Sequence, residues 1–165
     1  KAREAVALRM THNLCCSPQR VSLEPPMKEV VIQRLTGRLE AYSDLLVGMG
    51  QVDIEKKLDT TRNKNLAEHL WCVIGARESY CQGLRSGSWN GFVCSLNEFT
   101  VDAFAAKLNQ TAALVRSTVA DVEDWTQERE ELLILLHEHE VMHEGQIIRQ
   151  IYAINKSLPD SWYWA

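Results

Sequence analysis

Apolar residues recur every three or four positions over four long stretches of this chain, and no convincing apolar–polar alternation appears anywhere. That period belongs to α-helices, which turn about 100° per residue, and not to strands, whose side chains alternate between faces. Val30, Val31, Leu35, Leu39, Tyr42, Leu45 and Leu46 mark a first helix over 28–47, which Gly48 and Gly50 stop. A second, over 61–84, carries Leu66, Leu70, Val73, Ile74, Tyr80, Cys81 and Leu84 and ends in the breakers of SGSWNG. Phe104, Leu108, Ala112, Val115 and Val119 mark a third over 101–122, and a fourth runs over 126–154 with Pro159 just beyond it. Four amphipathic helices predict an all-α chain, a four-helix bundle.

The stretch between the second and third helices, RSGSWNGFVCSLNEFT, is the longest of the three connections. A helix of about 22 residues is roughly 33 Å long, a span that an extended connector of this length covers. Helices two and three are therefore expected to run parallel, joined by a long crossover, with helices two and four antiparallel. Trp89, Phe92 and Cys94 in the connector are expected to cover one end of the bundle, either as structure or as substrate contacts.

The first 26 residues keep no steady period and close on Pro25 and Pro26. The reading is an N-terminal extension over 1–26, with Met27 as the native start and one bundle domain over 27–165. A net charge of −4 offers no basic footprint for nucleic acid, and no apolar run approaches the roughly 20 residues of a membrane helix. Five cysteines with no CxxC pair suggest a reduced, cytoplasmic protein.

Three of the five histidines lie in LLILLHEHEVMHEGQII of the fourth helix. His139 and His143 fall within roughly 60° of the stripe marked by Leu132, Leu136 and Ile147, whereas His137 points away from it, towards solvent. His69, in the second helix, lies about 60° from Leu66 and about 40° from Val73, at the edge of that helix's apolar face. With helices two and four antiparallel, His69 meets His139 and His143. Two outcomes satisfy three imidazoles inside a bundle. They are hydrogen-bonded core residues, or they are ligands of a divalent metal, for which imidazole suits zinc, nickel, copper and iron. Three protein ligands leave a position open, where a metal activates water or a thiol.

Other groups stand near. Cys72 follows His69 by three positions and either approaches the metal or packs as a small apolar residue. Tyr80 shares the face of His69 and either donates a proton to a bound ligand or packs with its hydroxyl satisfied. Arg77 points towards the apolar stripe, where it pairs with a carboxylate or binds an anionic substrate. Gln146 orients a ligand or closes a polar network. These three, Tyr80, Arg77 and Gln146, are the candidate catalytic residues. Glu140 and Glu144 face away from the histidines, and neither is read as a general base.

The sequence HEVMHEGQ, with His139, His143, Gly145 and Gln146, resembles the signature of the DinB/YfiT-like family of metalloenzymes. The second-helix segment NKNLAEHLW with His69 and the tail SLPDSW resemble that family as well, so the similarity spans about Met27 to Trp164. The resemblance implies an up-down-down-up four-helix bundle, a divalent metal on His69, His139 and His143, and a homodimer. It also implies chemistry of the thiol transferase or hydrolase kind on a small-molecule substrate or low-molecular-weight thiol, with nickel, zinc or iron as the metal. The alternatives are a non-catalytic, stress-associated metal-binding bundle and a metal-free interaction module.

Overall fold

The computed structural model describes residues 26–59 and 63–164. Among them every regular element is helical: α1 (Met27–Thr36), α2 (Ala41–Asp44), α3 (Gln51–Glu55), α4 (Leu66–Ser86), α5 (Val101–Asp121) and α6 (Gln127–Ala153), then a 3-10 turn at Asp160–Trp162. Residues 1–25 lie outside the described set, and the extension expected over 1–26 lies there with them, save for Pro26.

The three long helices start where a side chain satisfies their first free N–H groups. Asn65 Oδ1 accepts from the Glu68 N–H at 2.8 Å, and the Glu68 carboxylate accepts from the Asn65 N–H at 2.8 Å. Thr100 caps α5 through the Ala103 N–H, and Thr126 caps α6 through the Arg129 N–H. Each such cap stabilises its helix by about 1 kcal/mol. The reciprocal pair at Asn65 moves the start of α4 to Leu66, five residues beyond the expected 61, and leaves Asn63 and Lys64 in the preceding loop. At the other end Gly87 takes φ +79°, a left-handed stop that lets its N–H reach Gly83 O.

The first expected helix is not continuous. After Gly37 the N–H groups reach back three residues instead of four, from Arg38 to Leu35 O at 3.2 Å and from Ala41 to Arg38 O at 3.1 Å. Leu35, Leu39, Tyr42, Leu45 and Leu46 nonetheless all stay buried along this tightened path. Apolar spacing reports which face is inward, and that face survives a break in the α-helical ladder. The short α3, capped by Asp53 on the Gly50 N–H at 2.9 Å, is an element the periodicity did not reveal.

α4 packs along both α5 and α6, and α1 and α2 lie across α5 and α6. One core cluster joins Leu70, Val73 and Ile74 to Phe104, Leu108, Ile147 and Ile151. A second joins Leu84 to Leu35, Leu39, Val115, Leu132 and Leu136. His69, early in α4, meets His143, late in α6, while Leu84 O accepts from Arg129 Nε at 2.9 Å. The connector after α4 corrects the expected end cover, because it runs back along the side of α4. The Val93 N–H donates to Ser79 Oγ at 2.8 Å, and Ser95 binds Glu78 through both its N–H and its hydroxyl. Phe92 lies over Gly75 so closely that a Cβ there would sit 2.2 Å from the ring.

One ion pair is buried in the core and a second is half-buried beside it. Arg77, 0% exposed, donates to both oxygens of Glu140 at 2.8 and 2.9 Å, with its guanidinium 4.6 Å from the Tyr42 ring centre. Burial works against the Arg77 charge, but the Glu140 carboxylate outweighs it and holds the guanidinium above its ordinary range. Arg38 donates to the buried Glu144 at 2.8 Å.

Candidate metal centre

His69 and Cys72 lie one turn apart on α4, and His139 and His143 one turn apart on α6. The packing of the two helices brings all four to one place. His69 Nδ1 lies 3.1 Å from His143 Nδ1, and Cys72 Sγ lies 3.7 Å from His139 Nε2. The His139 and His143 rings have their centres 4.7 Å apart. The side chains whose ligand atoms all lie within 4.8 Å of one another are Cys72, His139 and His143. His69 stands outside that group but against it, through His143.

The distances can be compared with what a shared ion imposes. Two nitrogens at about 2.0–2.1 Å from one tetrahedral ion are about 3.3–3.4 Å apart, and a sulfur at about 2.3 Å lies about 3.6 Å from such a nitrogen. The 3.7 Å between Cys72 Sγ and His139 Nε2 is close to the second of these edges, whereas the 3.1 Å between His69 Nδ1 and His143 Nδ1 is a hydrogen-bond length and leaves His143 Nε2 as the nitrogen that can ligate. His143 is 2% exposed and its Nε2 has no hydrogen-bond partner among the described residues. A buried imidazole nitrogen left so costs a few kcal/mol unless a ligand meets it. Nitrogen and sulfur donors fit zinc, nickel, copper or iron rather than the oxygen-seeking magnesium and calcium. The residues present fit a divalent metal, and the group Cys72, His139 and His143 could hold one.

Electrostatics keep the imidazoles in the form that ligates. Burial, then the neighbouring His139 and His69, push the His143 pKa down to about 3. Burial also lowers His69 and His139, with the charge of Lys64 acting in the same direction on both. For the metal-free protein this sets the sign of the acid response. A histidine whose folded pKa lies below its unfolded value of about 6.5 stays neutral while the unfolded chain takes up a proton. The stability it contributes is whole above about pH 6.5 and is lost as pH falls towards 3. The urea midpoint of metal-free protein should therefore decline over that window, and His143→Gln should flatten the decline.

A cavity of about 290 Å³ opens beside these side chains, lined by Asn63, Lys64, His69, Cys72, His139, Met142, His143, Gln146 and Arg149. Of the candidate catalytic residues, Gln146 lies on this rim. Tyr80 stands further along, its ring centre 6.5 Å from that of His139 and 4.7 Å from that of Trp89. Burial raises its pKa, so its phenol keeps the proton. Arg77 takes no part in the cavity, being fully buried and committed to Glu140. His137, expected towards solvent, is half-buried against Arg34 and Arg38 of the α1 region. Asn63, Lys64 and Arg149 went unnoticed in the sequence. The signals for them were the Asn65–Glu68 cap, which places the first two in a loop, and the three-residue step from Gln146 to Arg149.

No protein-family model, curated protein or solved structure matches the chain. The chemistry of the pocket therefore rests on its own residues.

Proposed function

We propose that this chain is a divalent-metal-dependent enzyme of the DinB/YfiT-like type, holding nickel, zinc or iron on His69, His139 and His143. The observation that carries the reading is the convergence of these imidazoles with Cys72 on an accessible cavity, with His143 Nε2 buried and unpartnered among the described residues. The same reading gives the bundle an up-down-down-up course, with the tightened segment from α1 to α2 as its first helix. It also makes the protein a homodimer of a reducing, cytoplasmic setting, in keeping with the free thiols of Cys72, Cys81 and Cys94.

When bound, the ion supplies Lewis acidity to a water or a low-molecular-weight thiol. The chain's own residues do the rest. His143 stays neutral at physiological pH and offers a lone pair. Its Nδ1 pairs with His69 Nδ1, which fixes the tilt of both rings. Tyr80 holds a proton near His139, and Gln146 offers an amide at the rim where a ligand enters.

A second reading is favoured by one distance, the 3.7 Å between Cys72 Sγ and His139 Nε2. With Cys72 as a fourth ligand the shell closes, and a closed shell marks a structural or storage site. Cobalt(II) substitution separates the two. An open site gives no thiolate charge-transfer band until a free thiol is added, and Cys72→Ser behaves like the wild type. A band present without added thiol and abolished by Cys72→Ser would overturn the enzyme reading in favour of the non-catalytic one.

A further inference from the structure

The cavity beside the histidines carries charge of one sign. Lys64 enters from the loop before α4, and Arg149 stands on α6. Among the described residues no carboxylate lines the cavity, although the chain has 22 acidic residues against 18 basic ones. Neither cation makes an ion pair among the described residues. Glu68, the acid adjacent to His69 in the chain, is turned instead to the Asn65 N–H and to Lys57. A third group points the same way: Asn63 Nδ2 is a buried donor on the cavity wall with no partner among the described residues. Two cations and an amide donor, all without partners among the described residues and set around one small cavity, are the complement of an anion.

We propose that the cavity binds a small organic anion, its carboxylate or phosphate group held by Lys64, Arg149 and Asn63 Nδ2 and its opposite end directed at the histidines. The inference deepens the metal-site reading and rests on it for what happens at that opposite end. The anion-holding groups themselves are independent of the metal. At about 290 Å³ the cavity is close to the size of small-molecule sites. Lys64 and Arg149 line the same cavity as His69, His139 and His143, so the bound negative charge shares one space with all three imidazoles. A thiol that bears carboxylates meets both requirements. Its acid end satisfies the cations while its sulfur faces the metal.

The test is calorimetric titration of the full chain with mercaptosuccinate, succinate and the uncharged 2-mercaptoethanol, with metal content measured on the same samples. Lys64→Gln/Arg149→Gln is prepared alongside; both side chains are exposed, so the fold is not at stake. The expected result is mercaptosuccinate binding at least about tenfold tighter than 2-mercaptoethanol, as charge-assisted hydrogen bonds imply. That advantage should disappear in the double variant while its metal content stays that of the wild type. Asn63→Asp, which sets a like charge in the cavity, should weaken mercaptosuccinate and succinate together. Equal binding of the charged and neutral thiols, or a preference that survives the double variant, would overturn the proposal. Wild-type protein that takes up no nickel, zinc or iron(II) on incubation, yet binds succinate more tightly than the double variant does, would sustain the anion site and refute the metal reading alone.

Discussion

Arg77→Met is expected to remove about 3–5 kcal/mol from the folding free energy, because it strands the Glu140 carboxylate in the core without its partner. Glu140 is 3% exposed and both its oxygens are taken by the one guanidinium. Tyr42 would lose the cation over its ring at the same time. The substitution itself is close to volume-conserving, so a cavity does not account for the loss. Removing both charges in Arg77→Met/Glu140→Leu should recover most of it, since a well-packed apolar pair often matches a buried ion pair in stability. Urea denaturation of the two variants and the wild type measures the difference. A single variant within about 1 kcal/mol of the wild type would mean that Glu140 finds water or a proton in place of Arg77.

The ion pair also shows why part of this fold could be read from the sequence and part could not. Arg77 was legible as a cation on an apolar face that needed a carboxylate. Which carboxylate was not legible, because Glu140 and Glu144 look like solvated residues flanking two histidines. On α6 the steps His139 to His143 and Glu140 to Glu144 are both four residues, one residue apart in phase. Their two rows therefore lie about 100° apart on the helix. One row meets α4 at the cavity. The other is buried against Arg77 and Arg38, and only packing against α1 and α4 covers it. A single helix cannot disclose that its polar side is inward too.

Five of the six ends of the long helices were read within two residues because of strong local stop and start signals, and the start of α4 was placed five residues early. α5 and α6 begin one residue after Thr100 and Thr126, and Gly87 ends α4 two residues past the expected Leu84. The first helix was misread because periodic apolar residues demand burial and not a continuous hydrogen-bond ladder. Of the candidate site, the three histidines were visible from helical phase alone. His69 and His143 do touch, and His139 lies against His143. Cys72 was visible as a neighbour in sequence, but its 3.7 Å approach to His139 depends on the register between α4 and α6. Lys64 and Asn63 belong to a loop whose direction no periodicity encodes.

The second large effect concerns that register of donors. His139→Ala/His143→Ala removes two of the three atoms in the mutually close group and leaves Cys72 and His69 on α4 without counterparts on α6. Two ligands from one helix do not make a tetrahedral site, so the loss of metal should be complete rather than graded. The variant should keep its helices, because neither hydrophobic core cluster is built from these side chains. Its circular dichroism is therefore expected to resemble that of the wild type.

The most direct measurement is elemental analysis of protein purified without a histidine tag or added metal, with this double variant beside it. About one divalent ion per chain in the wild type and none in the variant is the result expected of a single site of this kind. A wild type that takes up no nickel, zinc or iron(II) even on incubation, or a variant that retains its metal, would contradict it and leave the histidines as ordinary hydrogen-bonded residues of the core.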